Sequence, residues 1–386
     1  MRKDCDLCGV TSLLASEPHL KELADGLHRK RSARVYGLPS AAHVAATAVF
    51  ARALDAPVLL VTAYPDRALQ LVDELPSWLG ARHEAHYFPA LDALPYDRAE
   101  PERGLMQQRL AALQALGHTS ASSDSEGRPA PVVVAPARAL LQPLMDPLRF
   151  QGLTAAYKVG QRFNIQAELA KWERSGYSGV DTVSAQGEYA RRGGIVDVFP
   201  GDAAEPVRIE LFGDEIDSLR HFDPESQRST ARVDDLTVTA VRQQSANDAR
   251  AAVAALRALD ASAMLPQTRE RWEGDIVAIE NGLLPEGSEL FAPYLNPDAA
   301  SLIDYLPSRA LILIDEPDAC ADAMDDLYRQ AREIRAELEG RGELPRGLRD
   351  ALLAPDSIRE QVSSSLRVEW WTRGTPLEAR GGDLSL

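Results

Sequence analysis

Three short stretches of the chain are apolar at almost every position: residues 58–62 (Val-Leu-Leu-Val-Thr), 131–135 (Pro-Val-Val-Val-Ala) and 310–314 (Ala-Leu-Ile-Leu-Ile). Unbroken runs of this length, rich in β-branched residues, suit strands buried on both faces of a parallel sheet. Around them the apolar residues recur at helical spacing. Residues 41–54 read as an Ala/Val-rich helix with Ser40 placed to cap it, and Leu69, Leu71, Val72 and Leu75 give residues 66–79 one apolar face. Residues 33–37 predict a short strand ending on glycine, and residues 138–144 a further helix. Strand, helix, strand, helix is the order of a doubly wound α/β domain.

From residue 152 to 241 the period falls to two. Short strands are predicted over 194–199, 207–212, 215–222 and 236–241, with Gly201-Asp202 and Gly213-Asp214 as tight turns between them. This is the pattern of a small α+β domain on an antiparallel sheet. Helical spacing returns at 251–259 and 269–283, and residues 318–338 form a long charged helix whose mixed acids and bases read as a solvated face. Residues 118–131, rich in Ser, Gly, Pro and Asp, have the composition of a surface loop. No periodic segment is evident after residue 363, which suggests a fragment or truncated product, and no internal repeat stands out. The expected division is an N-terminal segment (1–34), an α/β domain (35–145), an inserted sheet domain (146–241), a segment completing the α/β unit (242–345), and a linker or the start of a truncated following domain (346–386).

Composition changes the picture in two respects. With 386 residues, 45% of them hydrophobic and 26% charged, the chain is an ordinary folded protein with room for two or three domains. It has no apolar run near the roughly 20 residues a membrane helix needs, its start (Met1-Arg2-Lys3-Asp4) is unlike a signal peptide, and three cysteines make no disulfide framework. A cytoplasmic location is expected. The net charge of −16 repels phosphate, so DNA contact by this chain alone must be local and weak. Protein partners with basic surfaces would be steered towards it.

Candidate chemistry is sparse. Cys5-Asp6-Leu7-Cys8 is a C-x-x-C pair, but a structural zinc needs four ligands and the only other cysteine is Cys320. No metal site is expected. Gly37-Leu38-Pro39-Ser40-Ala41-Ala42-His43-Val44 stands where a phosphate-binding loop would open a helix, yet Ala42, His43 and Val44 replace the second glycine, the lysine and the hydroxyl of G-x-x-x-x-G-K-[ST]. The placement survives without its chemistry beyond Gly37. Asp315 and Glu316 follow a buried run as the acids of a Walker B strand do, with no phosphate loop to serve. In residues 207–212, period-two geometry sets Arg208, Glu210 and Phe212 on one face. That face is either a partner-binding spot or a solvated surface from which Phe212 turns inwards. Arg191-Arg192-Gly193-Gly194, at a strand entry, could hold phosphate or a partner carboxylate, or be plain surface charge.

These same residues carry a family resemblance. Residues 187–200 (Gly-Glu-Tyr-Ala-Arg-Arg-Gly-Gly-Ile-Val-Asp-Val-Phe-Pro), 208–220 and 222–229 resemble the signature of the module shared by UvrB and the bacterial transcription-repair coupling factors (Mfd). Residues 88–97 (Phe-Pro-Ala-Leu-Asp-Ala-Leu-Pro-Tyr-Asp) and Ser175-Gly176-Tyr177 match it too, and the resemblance runs from about 37 to 339. UvrB keeps a complete phosphate loop and a long aromatic hairpin that clamps DNA. Here the loop is degraded and the short span after Asp97 leaves little room for the hairpin, so the coupling factors fit better.

The resemblance implies a degenerate P-loop helicase-like α/β domain with an inserted UvrA-binding sheet domain. It implies UvrA contacts at Arg192, Arg208 and Phe212, which favours an exposed Phe212. RNA polymerase and DNA would be met by other parts of the longer protein, an ATP-driven translocase. This chain is expected to be a non-catalytic recruitment module with no cofactor, ATP and magnesium belonging to the absent translocase domains. Its rivals are a UvrB-like nucleotide-dependent DNA-repair helicase, which would need the lysine that His43 replaces, and a free-standing adaptor for another basic protein.

Overall fold

The computed structural model describes residues 7–18, 23, 26–27, 31–79, 84–94, 96–98, 101–121, 130–241, 249–372 and 383–385. The first strands are β1 (Ser32–Tyr36), β2 (Val58–Thr62), β3 (Ala85–Tyr87) and β4 (Val132–Pro136). Then come β5 (Ala155–Lys158), β6 (Ser178–Gly179), β7 (Glu188–Arg192), β8 (Ile195–Val198), β9 (Val207–Phe212), β10 (Glu215–Phe222), β11 (Ser229–Val233) and β12 (Asp235–Val238). The last are β13 (Leu311–Asp315), β14 (Leu366–Trp371) and β15 (Asp383–Ser385).

A seven-stranded sheet in the order β15-β1-β14-β13-β2-β4-β3 is parallel at every pairing. Its central strands are apolar throughout because both faces are covered. Leu59, Val61, Val133 and Ile312 enter one core, and their neighbours Val58, Leu60, Val132 and Leu313 enter the other. Helices His43–Leu54 and Pro65–Leu79 cover the second face with Phe50, Leu71 and Leu75. The first is covered by Arg103–Ala121 and Pro317–Gly340, and Pro266–Glu280 joins the same core through Trp272, Ile276 and Ile279. Between β4 and β13 the chain builds a six-stranded sheet, β11-β10-β9-β8-β7-β6, antiparallel except at β6–β7. Trp172, Tyr157 and Phe163 pack on its inner face beside Val196, Val198 and Ile209. The molecule is therefore mixed α/β, with one parallel and one mainly antiparallel sheet.

Several expectations change. Residues 346–386 were expected to be a linker or a following domain, but β14 lies between β1 and β13, and β15 pairs with β1. The strand is hard to see in Leu-Arg-Val-Glu-Trp-Trp because charges alternate with the buried Val368 and Trp370. Those charges pair with each other, Arg367 Nε lying 2.9 Å from Glu369 Oε1. The helix expected over 138–144 is a tight 3₁₀ turn, Ala137–Leu141. Ser40 caps nothing with its side chain, since a 3₁₀ turn, Ser40–Ala42, precedes the helix. The strand expected over 236–241 is β12, which pairs with β5 in a separate ribbon. Residues 118–121 end the helix Arg103–Ala121, and 122–129 lie outside the described residues, as do Cys5 and the side chain of Cys8.

That helix was not anticipated, because a buried arginine interrupts its apolar stripe. Arg109 lies over the Phe88 ring at 4.1 Å and donates to the Pro89 carbonyl and Gln142 Oε1. Leu110 of the same helix lies against the Gly201 turn of the inserted domain, and Gln107 donates to the Ala203 carbonyl there. Among the described residues, no helix is long and apolar enough to cross a membrane.

Candidate functional site

Two hairpins end side by side at one end of the six-stranded sheet. Arg192 pairs with Ile195 across Gly193-Gly194, and Phe212 pairs with Glu215 across Gly213-Asp214. In each loop the first residue is a glycine at positive φ, +62° for Gly193 and +68° for Gly213, as a two-residue type II′ turn requires. The Leu211 amide donates to the Gly194 carbonyl at 2.9 Å, which ties the two tips together.

Strand alternation then divides the side chains. Val207 and Ile209 enter the core under the sheet, and Arg208, Glu210 and Phe212 project from the outer face. Half of that outer face is already covered, where Phe222, Ala190 and Phe199 form a small cluster with Val183. The other half is open. Phe212 is 84% exposed, and Ile195, which pairs with Glu210 and so lies diagonally from Phe212 across β8–β9, is 38% exposed. Two apolar side chains adjoining at a hairpin tip lose water only when a partner covers them. Covering a phenylalanine stabilises a complex by about 1.5–3 kcal/mol.

The arginines divide as well. Arg192 is exposed and donates to the Asp181 carbonyl and Thr182 Oγ1, both at 2.9 Å, leaving its fork at the rim of the apolar tip. Arg208 is committed inside the domain. Its Nε and Nη2 hold Asp197 Oδ1 and Oδ2 at 2.7 and 2.9 Å, and its Nη1 donates to the Gln227 carbonyl. The guanidinium lies 4.9 Å from the Phe222 ring centre. The hydrogen bonds to Asp197 push the Arg208 pKa above its usual value. Arg208, which the resemblance implies as a UvrA contact, is thus tied to Asp197 and Gln227 and holds β8, β9 and the Gln227 loop together. Asp197 and Ile195 were missed from the sequence, since their roles depend on which strand lies next to β9.

Around residues 37–44, expected from the sequence to be a degraded phosphate loop, the polar side chains face each other. Gly37 turns the chain at φ +78° after β1, and His43 opens the following helix fully buried. His43 Nδ1 lies 3.0 Å from Asp315 Oδ1, and His43 Nε2 lies 3.0 Å from the Leu38 carbonyl. Arg67 Nε reaches Asp315 Oδ2 at 3.2 Å, and its Nη2 donates to the Ser40 carbonyl at 2.7 Å. Burial alone would raise the Asp315 carboxyl, but His43 and then Arg67 outweigh it and hold the carboxyl below its ordinary value. Glu316 accepts the Thr372 amide at 2.7 Å. Ala42 and Val44 offer no polar side chain. These residues do not fit a nucleotide with its magnesium.

The inserted unit defines the class. Residues 156–243, from β5 past β12, match the family described as the UvrB interaction domain. Across most of its length the chain is similar to transcription-repair-coupling factors. It is 31% identical to the one from Mycobacterium bovis over 338 residues, 86% of this chain and 26% of that protein. Identity is 28% with the factor from Myxococcus xanthus, covering 89% of this chain and 29% of the relative, and 26% with that of Escherichia coli, covering 85% and 27%. The resemblance to the UvrB-like module of the coupling factors thus holds both for the inserted domain and for the chain around it. The chain spans between a quarter and a third of the length of these relatives.

Proposed function

We propose that this chain is the recruitment module of a transcription-coupled nucleotide excision repair factor, and that the open tip of its six-stranded sheet docks UvrA. The observation that carries this reading is the exposed Phe212, flanked by Ile195 and rimmed by Arg192, within a unit matching the UvrB interaction domain. Phe212 serves as the apolar anchor and Arg192 as the charged rim, while Arg208 keeps the strands in place. Measuring UvrA binding to the wild-type chain and to Phe212→Ala tests it. A true anchor costs at least about 2 kcal/mol, a loss of about thirtyfold or more with the fold unchanged. Equal binding by the two chains would refute the tip as the contact.

The α/β unit is, in this reading, a helicase-like domain without nucleotide chemistry. ATP, magnesium, RNA polymerase and translocation along DNA belong to parts of the longer relatives that this chain does not span. The pairing of His43 and Arg67 with Asp315 supports this reading. Millimolar magnesium-ATP is therefore expected to leave the melting temperature of the chain unchanged. A rise of several degrees would favour a UvrB-like nucleotide-dependent enzyme instead.

A further inference from the structure

The pairing registers of β8 to β11 bring four residues abreast on the outer face of the six-stranded sheet: Asp197, Arg208, Arg220 and Arg232. Directly opposed residues in antiparallel strands have their Cβ atoms about 5 Å apart, and like charges there repel. Three arginines in one row therefore need counter-charge, and the protein supplies it unevenly. Arg208 has the whole of Asp197. Among the described residues Arg220 has only Glu210 at 3.8 Å, and that same carboxylate oxygen already accepts the Ser218 hydroxyl at 2.5 Å. The Arg220 Nε is buried without a hydrogen-bond partner. Arg232, on the outermost strand, is exposed and has no ion-pair partner among the described residues. Positive charge thus goes progressively unmatched towards the β11 edge, in a chain whose net charge is −16.

We infer that this row extends the docking surface from the tip to the β11 edge, and that Arg220 and Arg232 receive carboxylates of the partner protein. The inference rests on the docking of UvrA proposed above and names the chemistry of the surface that UvrA must present. Carboxylates suit the row better than a nucleic-acid backbone. Exposed Asp223, Glu225, Asp234 and Asp235 fringe it, and would repel a continuous line of phosphates while leaving room for single acidic side chains. Arginine's planar fork takes a carboxylate in two hydrogen bonds, and the Arg220 side chain, 36% exposed, is held among the described residues only by a Glu210 oxygen 3.8 Å from its Nε.

The test measures UvrA affinity at several salt concentrations for the wild-type chain, Arg232→Glu, Arg220→Ala and Phe212→Ala. Arg232→Glu, on an exposed edge, is expected to keep the fold, weaken binding about tenfold at low salt and flatten the salt dependence. Arg220→Ala should act in the same direction, while Phe212→Ala should weaken binding at all salt concentrations alike. If both arginine variants bind like the wild type while Phe212→Ala does not, the row is no part of the surface and the tip reading survives. If the wild-type chain fails to bind UvrA, both fall together. If the arginine variants instead lose affinity for duplex DNA and keep that for UvrA, the row is a phosphate site and the inference is overturned.

Discussion

Asp315 ends a buried strand, and its charge is tolerated there only because His43 and Arg67 meet it. Its carboxyl is depressed by folding, so it adds stability above its unfolded pKa, about 4. That contribution fades as the pH falls through the lower folded value. Asp315→Asn should therefore cost roughly 2–4 kcal/mol at pH 7, and the gap from wild type should narrow below about pH 4. Urea unfolding at both pH values checks this; a gap independent of pH would show that the ion pairs are not its source. Residue identity alone revealed that His43 could not replace a lysine, and strand alternation put Phe212 and Arg208 on one face. It could not reveal that Asp197 takes the Arg208 fork, because that contact depends on which strand is the neighbour and in which register.

Between elements, glycine fixes the closest approach. A Cβ on Gly201 would lie 2.6 Å from Val241 Cγ1 and 3.4 Å from Leu110 Cδ1. Gly201→Ala is expected to push the stiff Val241 aside and loosen helix Arg103–Ala121 from the sheet domain. The expected cost is about 1–3 kcal/mol, seen as a lower urea midpoint and faster proteolysis near this junction. An unchanged midpoint would mean that the contact is slack. Elements were legible where a single period ruled: β2, β4 and β13 as apolar runs, β9 and β10 as alternating strands between glycine turns. They were illegible where a polar residue stood in a core. Arg109 hid the helix around it, and the Arg367–Glu369 pair hid β14.

Across the whole molecule, the parallel sheet is assembled from both ends of the chain, with the six-stranded sheet between. β1 pairs with β14 and β15, and β14 in turn with β13. Removing residues 346–386 would strip β1 of both neighbours and uncover Ala33 and Val35. Such a chain is expected to lose the cooperative unfolding of the α/β unit, while the inserted domain, with its own core around Trp172, still melts. Calorimetry of the shortened chain would show one transition lost; a full-sized transition at the original temperature would mean that β14 adds little. The expectation of a linker there failed because the unit is closed by a partner strand more than 300 residues away, a distance that no local pattern encodes.

That closure sets an order of events during synthesis. The strands of the inserted domain are complete by Val238, whereas β1 waits for a neighbour that is finished only at Trp371. At elongation rates of about 5–20 residues per second, β1 stays unpaired for roughly 15–70 s after it is made. The face proposed to meet the partner can thus be folded on the ribosome before the scaffold that carries it exists.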